Sequence, residues 1–150
     1  VKKDPGRSFF GSAGARLPRY SLRVRTLESL EAWKLSRSVA TRAYRLTLQD
    51  PLQRHLGASD QIRRAALSVP ANITEGYAQG TARQLVRYVR IALGSASELK
   101  CHLDVVAELG LIDGSQAAPL RADCDRVVGL LVGLLKSLKA KVPRGRWKTE

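Results

Sequence analysis

The sequence predicts an all-α fold, an antiparallel up-down-up-down bundle of four helices. Three observations carry this. From about residue 26 to 138 apolar side chains recur three and four residues apart, the spacing of one buried helix face. No segment of four or more residues alternates strictly, as a half-buried strand would. Short connections marked by Pro and Gly make successive helices antiparallel neighbours, and 150 residues suit a single domain.

The first helix is expected over about 27–48, with Thr26 as N-cap and Leu30, Trp33, Ala40, Ala43 and Tyr44 on its buried side. Asp50-Pro51 ends it. The second follows Ser59 as N-cap and places Ile62, Ala66, Val69, Ile73 and Gly76 on a heptad seam. Pro70 lies inside it, where the missing N–H and the ring predict a kink. Gly76 and Gly80 frame a tight connection. Thr81-Ala82-Arg83-Gln84 reads as a capping box opening the third helix, whose seam is Leu85, Val89, Ala92, Ala96, Leu99, Leu103 and Val106. Gly110 closes it. The fourth starts between Ser115 and Pro119, with Leu120, Cys124, Val127, Leu131, Leu134 and Leu138 as its seam. Val128, Leu130, Val132 and Leu135 widen that face until it nearly encircles the helix, which predicts self-association through the third and fourth helices, with Gly129 and Gly133 permitting close approach.

The 26 Lys+Arg outnumber the 13 Asp+Glu, for a formal charge of +13. Residues 1–25 hold Lys2, Lys3, Arg7, Arg16, Arg19, Arg23 and Arg25 against Asp4, a net +6. Residues 136–150 hold Lys136, Lys139, Lys141, Arg144, Arg146 and Lys148 against Glu150, a net +5. The remaining +2 spreads over 26–135. The chain therefore divides into a basic arm (1–25), a bundle (26–138) and a basic tail (139–150). Pro5, Gly6, Gly11, Gly14 and Pro18 make the first part read as a mobile arm. A transit segment, or an artefact of where the gene begins, stays open as an alternative. The longest near-continuous apolar run, 127–135, is far short of the roughly 20 residues that span a bilayer. Two cysteines without a C-x-x-C pair make the cytoplasm the default compartment, and the lack of a basic amphipathic helix with large exposed apolar residues in the arms makes a membrane partner unexpected.

Arg83, Arg87 and Arg90 fall four and three apart on one face of the third helix, opposite its seam. Arg63 and Arg64 extend that row if the second and third helices pack as antiparallel neighbours. A solvated face competes for the row, and an ion pair within the bundle or between subunits competes for Arg63 and Arg64. With Arg16, Arg19, Arg23 and Arg25 in the arm and Lys136, Lys139, Lys141, Arg144 and Arg146 towards the tail, these are the candidate nucleic-acid contacts. Aromatics for base stacking are sparse: Phe9, Phe10, Tyr20 and Trp147 in the ends, Tyr77 and Tyr88 near the arginines. No catalytic, metal or cofactor site is expected. Cys101, His102 and Asp104 point to different sides of a helix, and no base is placed beside either cysteine. Asn72 and Glu75 read as structural, satisfying backbone groups near Pro70 and the helix end.

The stretch from Gln61 through Arg63-Arg64-Ala65, Ser68-Val69-Pro70, Asn72-Ile73 and Glu75-Gly76 resembles the "Q-hydrophobic-RRA-x-x-S-[IV]-P-x-N-I-x-EG" signature of proteins encoded in intervening sequences of bacterial 23S ribosomal RNA genes. The segment from Ala92 through Gly94-Ser95 to Glu98-Leu99 is similar to the family's "A-x-GS-x-x-EL", and Trp33 and Tyr44 fall where it has an aromatic pair. Thr74, where alanine is common, and the long arm depart from the pattern. The resemblance implies a four-helix bundle assembling as a homopentamer. It also implies kinship with the accessory variability determinant of diversity-generating retroelements, a basic pentamer that binds nucleic acid and works with a reverse transcriptase. The expected function is thus a non-enzymatic, homo-oligomeric accessory protein that binds RNA or single-stranded DNA, with a reverse transcriptase as a candidate partner. The alternative is a protein-interaction scaffold with no direct nucleic-acid role.

Overall fold

The computed structural model describes residues 26–140, all of whose regular structure is helical. Four helices, α1 (Glu31–Leu46), α2 (Leu56–Ala78), α3 (Ala82–Glu108) and α4 (Gly114–Ala140), pack in the cyclic order α1, α2, α3, α4. Each runs antiparallel to its neighbours, as the pairs Trp33–Thr74, Glu75–Tyr88, Arg64–Glu98, Lys100–Asp125 and Asp104–Arg121 show.

The seams of α2 and α3 are buried at every predicted position. In α4 the seam drifts as a 3.6-residue helix must, so that Leu135 is buried and Leu134 half-buried. Ile62, Ile73, Leu99, Leu103, Leu131 and Leu138 are fully enclosed, each contributing on the order of 2 kcal/mol of apolar burial.

Helix ends differ more. A 3-10 turn at Leu27–Ser29 separates Thr26 from α1, whose N-cap is Leu30, so Thr26 caps no α-helix. Helix α2 begins three residues before Ser59, which is buried inside its first turn and donates its Oγ hydrogen to the Leu52 carbonyl (2.9 Å). Its hydroxyl ties the α1–α2 connection to the bundle instead of capping. Helix α4 starts before Ser115: Asp113 Oδ1 accepts from the Ser115 N–H (2.8 Å), an N-cap bond that lowers the Asp113 pKa. Pro119 lies inside the helix. Where the sequence suggests a capping box, the Gln84 N–H donates to Thr81 Oγ1 (3.1 Å). Gly110 has φ +68°, with Leu111 N–H bonded to Val106 O and Gly110 N–H to Ala107 O, a Schellman stop.

Polar ties lock the helices in register. Asn72 Nδ2 donates to the carbonyl and hydroxyl of Ser68, whose Oγ meets Ser95 Oγ at 2.8 Å across α2 and α3. Glu75 accepts from the Tyr88 hydroxyl (2.8 Å). Both signature residues therefore have structural partners, although Asn72 bonds the Ser68 carbonyl and not that of Ala66, which Pro70 leaves without its i+4 donor. Helix α2 continues through Pro70 as one element.

Asp123 joins α4 to α1 through Arg42 and also accepts from Arg126 (3.0 Å). The Arg42 hydrogen bond, reinforced by Arg126, lowers the Asp123 pKa below its ordinary value. A depressed folded pKa contributes stability that is present above the unfolded value, about 4, and is lost as pH falls through the folded value. Urea midpoints are expected to be flat in this contribution from pH 7 to 5 and to drop below about pH 4. Asp123→Asn should be less stable at pH 7 with a shallower acid drop.

Candidate nucleic-acid interface

The antiparallel arrangement gives the bundle two unlike ends. One holds the Gly80 turn, the start of α1 and the end of α4; the other holds the α1–α2 and α3–α4 connections. Taking the Ser68–Ser95 bond as the mid-level, the helices of the Gly80 half carry Lys34, Arg37, Arg83, Arg87, Arg90, Lys136 and Lys139 against Glu31 and Glu75. The other half carries Arg42, Arg45, Arg63, Arg64, Lys100, Arg121 and Arg126 against Asp60, Glu98, Asp104, Glu108, Asp123 and Asp125. Pairing divides the same way. In the second half each of these bases except Arg45 has a carboxylate within ion-pair distance. In the Gly80 half Lys34 is paired with Glu31, and the other bases have no such partner among the described residues.

Arg83, Arg87 and Arg90 are all exposed on the outer face of α3. At 1.5 Å per residue they form a row about 10 Å long. The Arg87 guanidinium lies 5.9 Å from the Tyr88 ring centroid. Lys136 and Lys139 are exposed on the last turns of α4, at the same end. Residues 26 and 140, where the basic flanking segments attach, belong to this end too.

Arg63 and Arg64 do not extend the row. Helices α2 and α3 do pack antiparallel, yet Arg64 is taken by Gln61 (2.6 Å) and Glu98 (3.3 Å). Arg63 faces α1: its Nε donates to Thr47 Oγ1 (2.8 Å), its guanidinium lies 4.9 Å from the Tyr44 ring centroid, and Asp60 is at 3.5 Å. Both sit in the neutralised half, so the ion-pair alternative describes them. Arg16, Arg19, Arg23, Arg25, Lys141, Arg144 and Arg146 lie outside the described residues.

The first helix shows what the sequence reading missed. Trp33 and Tyr44, expected on its buried side, line an open groove of about 560 Å³ between α1 and α2. Tyr44 is 39% exposed, and Arg37 lies over the Trp33 ring at 4.7 Å from its centroid. Arg37 and Arg45, both among the groove residues, were not singled out because nothing in their own helix shows which bases find partners across the bundle.

Cys124 is buried, and desolvation pushes its thiol up to about 11, far from the range of a nucleophile. No helix among the described residues is long and apolar enough to cross a membrane.

Taken together these features define a class, a four-helix bundle with one neutralised and one unneutralised end. The family model described as "23S rRNA-intervening sequence protein" matches residues 28–133, and the chain belongs to that family. Its fold is similar to that of a protein of unknown function from the S23 ribosomal protein family of Bacteroides thetaiotaomicron, with a TM-score of 0.65 and 24% identity over 70% of this chain and 98% of that one. A comparison with curated proteins gives no match.

Proposed function

We propose that the protein binds nucleic acid without catalysing a reaction, and that the Gly80 end of the bundle supplies the contacts. The observation that carries this is the split in pairing. Among the described residues, six bases at one end lack carboxylate partners, three of them in a row on α3, while the other end neutralises almost all of its own. Guanidinium groups left exposed and unpaired are free to exchange counterions for phosphates, which gives affinity with little sequence preference. The flanking segments, basic by sequence, attach at the same end and reinforce the reading. In its finer form the ligand is RNA or cDNA, a reverse transcriptase is a partner and the cell compartment is the cytoplasm; this part rests on composition and on the resemblance described above.

Self-association belongs to the same reading. Val128, Val132 and Leu134 are half-buried within the bundle, so α4 leaves less apolar surface than its sequence suggests, with Leu130 the large side chain exposed on it. What supports association is its outer face, where Gly129 and Gly133 are exposed and a Cβ at either would meet open space, room for a second backbone. A pentamer would multiply the basic end fivefold around a ring.

Fluorescence anisotropy with labelled RNA and single-stranded DNA between 50 and 200 mM salt tests the function. With five or six phosphate contacts the log–log slope is expected near −4, so the dissociation constant should rise by about two orders of magnitude over that range. Affinity indifferent to salt would remove the electrostatic basis. A second reading, a protein-interaction scaffold, is favoured by Leu48, Leu56 and Leu109, exposed at the opposite end. It predicts protein purified at low salt with no retained nucleic acid, visible in its absorbance ratio at 260 and 280 nm.

A further inference from the structure

We infer that the groove between α1 and α2 receives an unstacked base of a single-stranded nucleic acid, with the adjoining phosphate held by Arg37 and Arg45. The inference rests on the nucleic-acid reading above but concerns a different face of the molecule, on the α1–α2 side and not on α3.

The groove is built on a fixed cation-on-aromatic platform, the Arg37 guanidinium lying over the Trp33 ring at 4.7 Å from its centroid. The Trp33 indole N–H donates to Thr74 Oγ1 (2.9 Å), and the Thr74 hydroxyl donates to the Pro70 carbonyl (2.8 Å). The indole is thus pinned by its polar edge to α2 and cannot swing away. Leu67, 51% exposed, and Pro70 line the α2 side, and Tyr44 the far end of α1. A volume of about 560 Å³ lies within the range of small-ligand pockets, roughly 300–1,000 Å³.

Charge decides the occupant. Among the described residues no carboxylate lines the groove, and neither Arg37 nor Arg45 has a carboxylate partner. An aromatic and aliphatic surface beside two unneutralised guanidinium groups suits a ligand that is planar and apolar on its face and anionic one bond system away. A nucleotide has that form, and stacking on aromatic rings and arginine planes is how single strands are held with little sequence preference. A duplex keeps its bases stacked inside and cannot offer one. The chain's own arm carries +6 and would be repelled by the same arginines.

The experiment uses the full chain with Trp147→Phe, which leaves Trp33 as the single fluorophore of its kind. Adding a short single-stranded oligonucleotide is expected to quench Trp33 saturably, and the duplex of the same sequence to bind with little quenching. Arg45→Gln and Leu67→Glu replace exposed side chains outside the Gly80 half and should leave helicity unchanged by circular dichroism. Each should weaken single-strand binding on the order of tenfold, as expected for losing one stacked base, while duplex affinity stays within about threefold. Duplex and single strand bound equally with no quenching would overturn the groove and leave the basic end standing. No binding of either would overturn both. Quenching by an acidic peptide and not by the oligonucleotide, or quenching undiminished in both variants, would overturn the assignment of the occupant.

Discussion

Replacing Gly76 by alanine is expected to lower the thermal midpoint by about 4–8 °C, a net loss of about 1–2 kcal/mol, although alanine is the better helix former by roughly 1 kcal/mol. The reason is the α2–α3 crossing. A Cβ built on Gly76 would lie 2.7 Å from Tyr88 Cβ, 3.2 Å from Leu85 Cδ1 and 3.3 Å from Leu85 Cα. Tyr88 Cβ and Leu85 Cα are not the far ends of flexible side chains, so relief requires the two helices to move apart. That separation would disturb the Glu75–Tyr88 bond one residue away and the enclosed Ile73 layer next to it. Overpacking of this kind costs about 1–3 kcal/mol and can exceed it, which outweighs the gain in propensity. Gly94→Ala is the matched control, since a Cβ there meets nothing within 4 Å. It should raise stability by roughly 0.5–1 kcal/mol. Calorimetry of the two variants beside the parent checks the assignment, and equal shifts in both would show that propensity and not packing governs Gly76.

The contrast between these glycines marks what the sequence can express. Gly76 was placed on the α2 seam because its neighbours there, Val69 and Ile73, repeat at helical spacing, and that periodicity survives folding because each helix buries one stripe. Helix starts were less legible. Ser59 and Asp113 are both short polar residues before an apolar run, but Leu52 offers Ser59 a carbonyl seven residues back, which takes its hydroxyl from capping, while Asp113 caps α4 through the local N–H of Ser115. The arginine row on α3 was readable from spacing alone. Its freedom from carboxylates was not, because Arg64 and Glu98 are 34 positions apart and meet only through the α2–α3 register. Tyr44 was misplaced for a related reason. Hydrophobicity sends large aromatics to the core, and Trp33 does pack against it half-buried, yet Tyr44 lies at the edge of the α1 stripe, where the gap between helices, and not the helix itself, decides exposure.

Changing Arg83, Arg87 and Arg90 together to glutamine is expected to weaken binding of single-stranded RNA several hundredfold at 50 mM salt. A log–log slope of about 0.7 per phosphate contact makes counterion release at 50 mM worth roughly eightfold per contact relative to 1 M, and the three factors multiply if each arginine meets one phosphate. The slope itself should become shallower by about 2. Glutamates at the same positions should weaken binding further by adding repulsion. The informative comparison removes the same number of charges from the neutralised end: Arg54, Arg64 and Arg126 to glutamine. These side chains are 75%, 69% and 70% exposed in their ion pairs, and exposed pairs of this kind contribute little to stability, so the variant should fold. Its net charge equals that of the α3 variant. If the protein acts as a diffuse cation, the two triples weaken RNA equally. If the unpaired end does the binding, the control stays within about threefold of the parent. Each arginine in the control already has a carboxylate partner, and a phosphate would have to displace that partner before it gained anything.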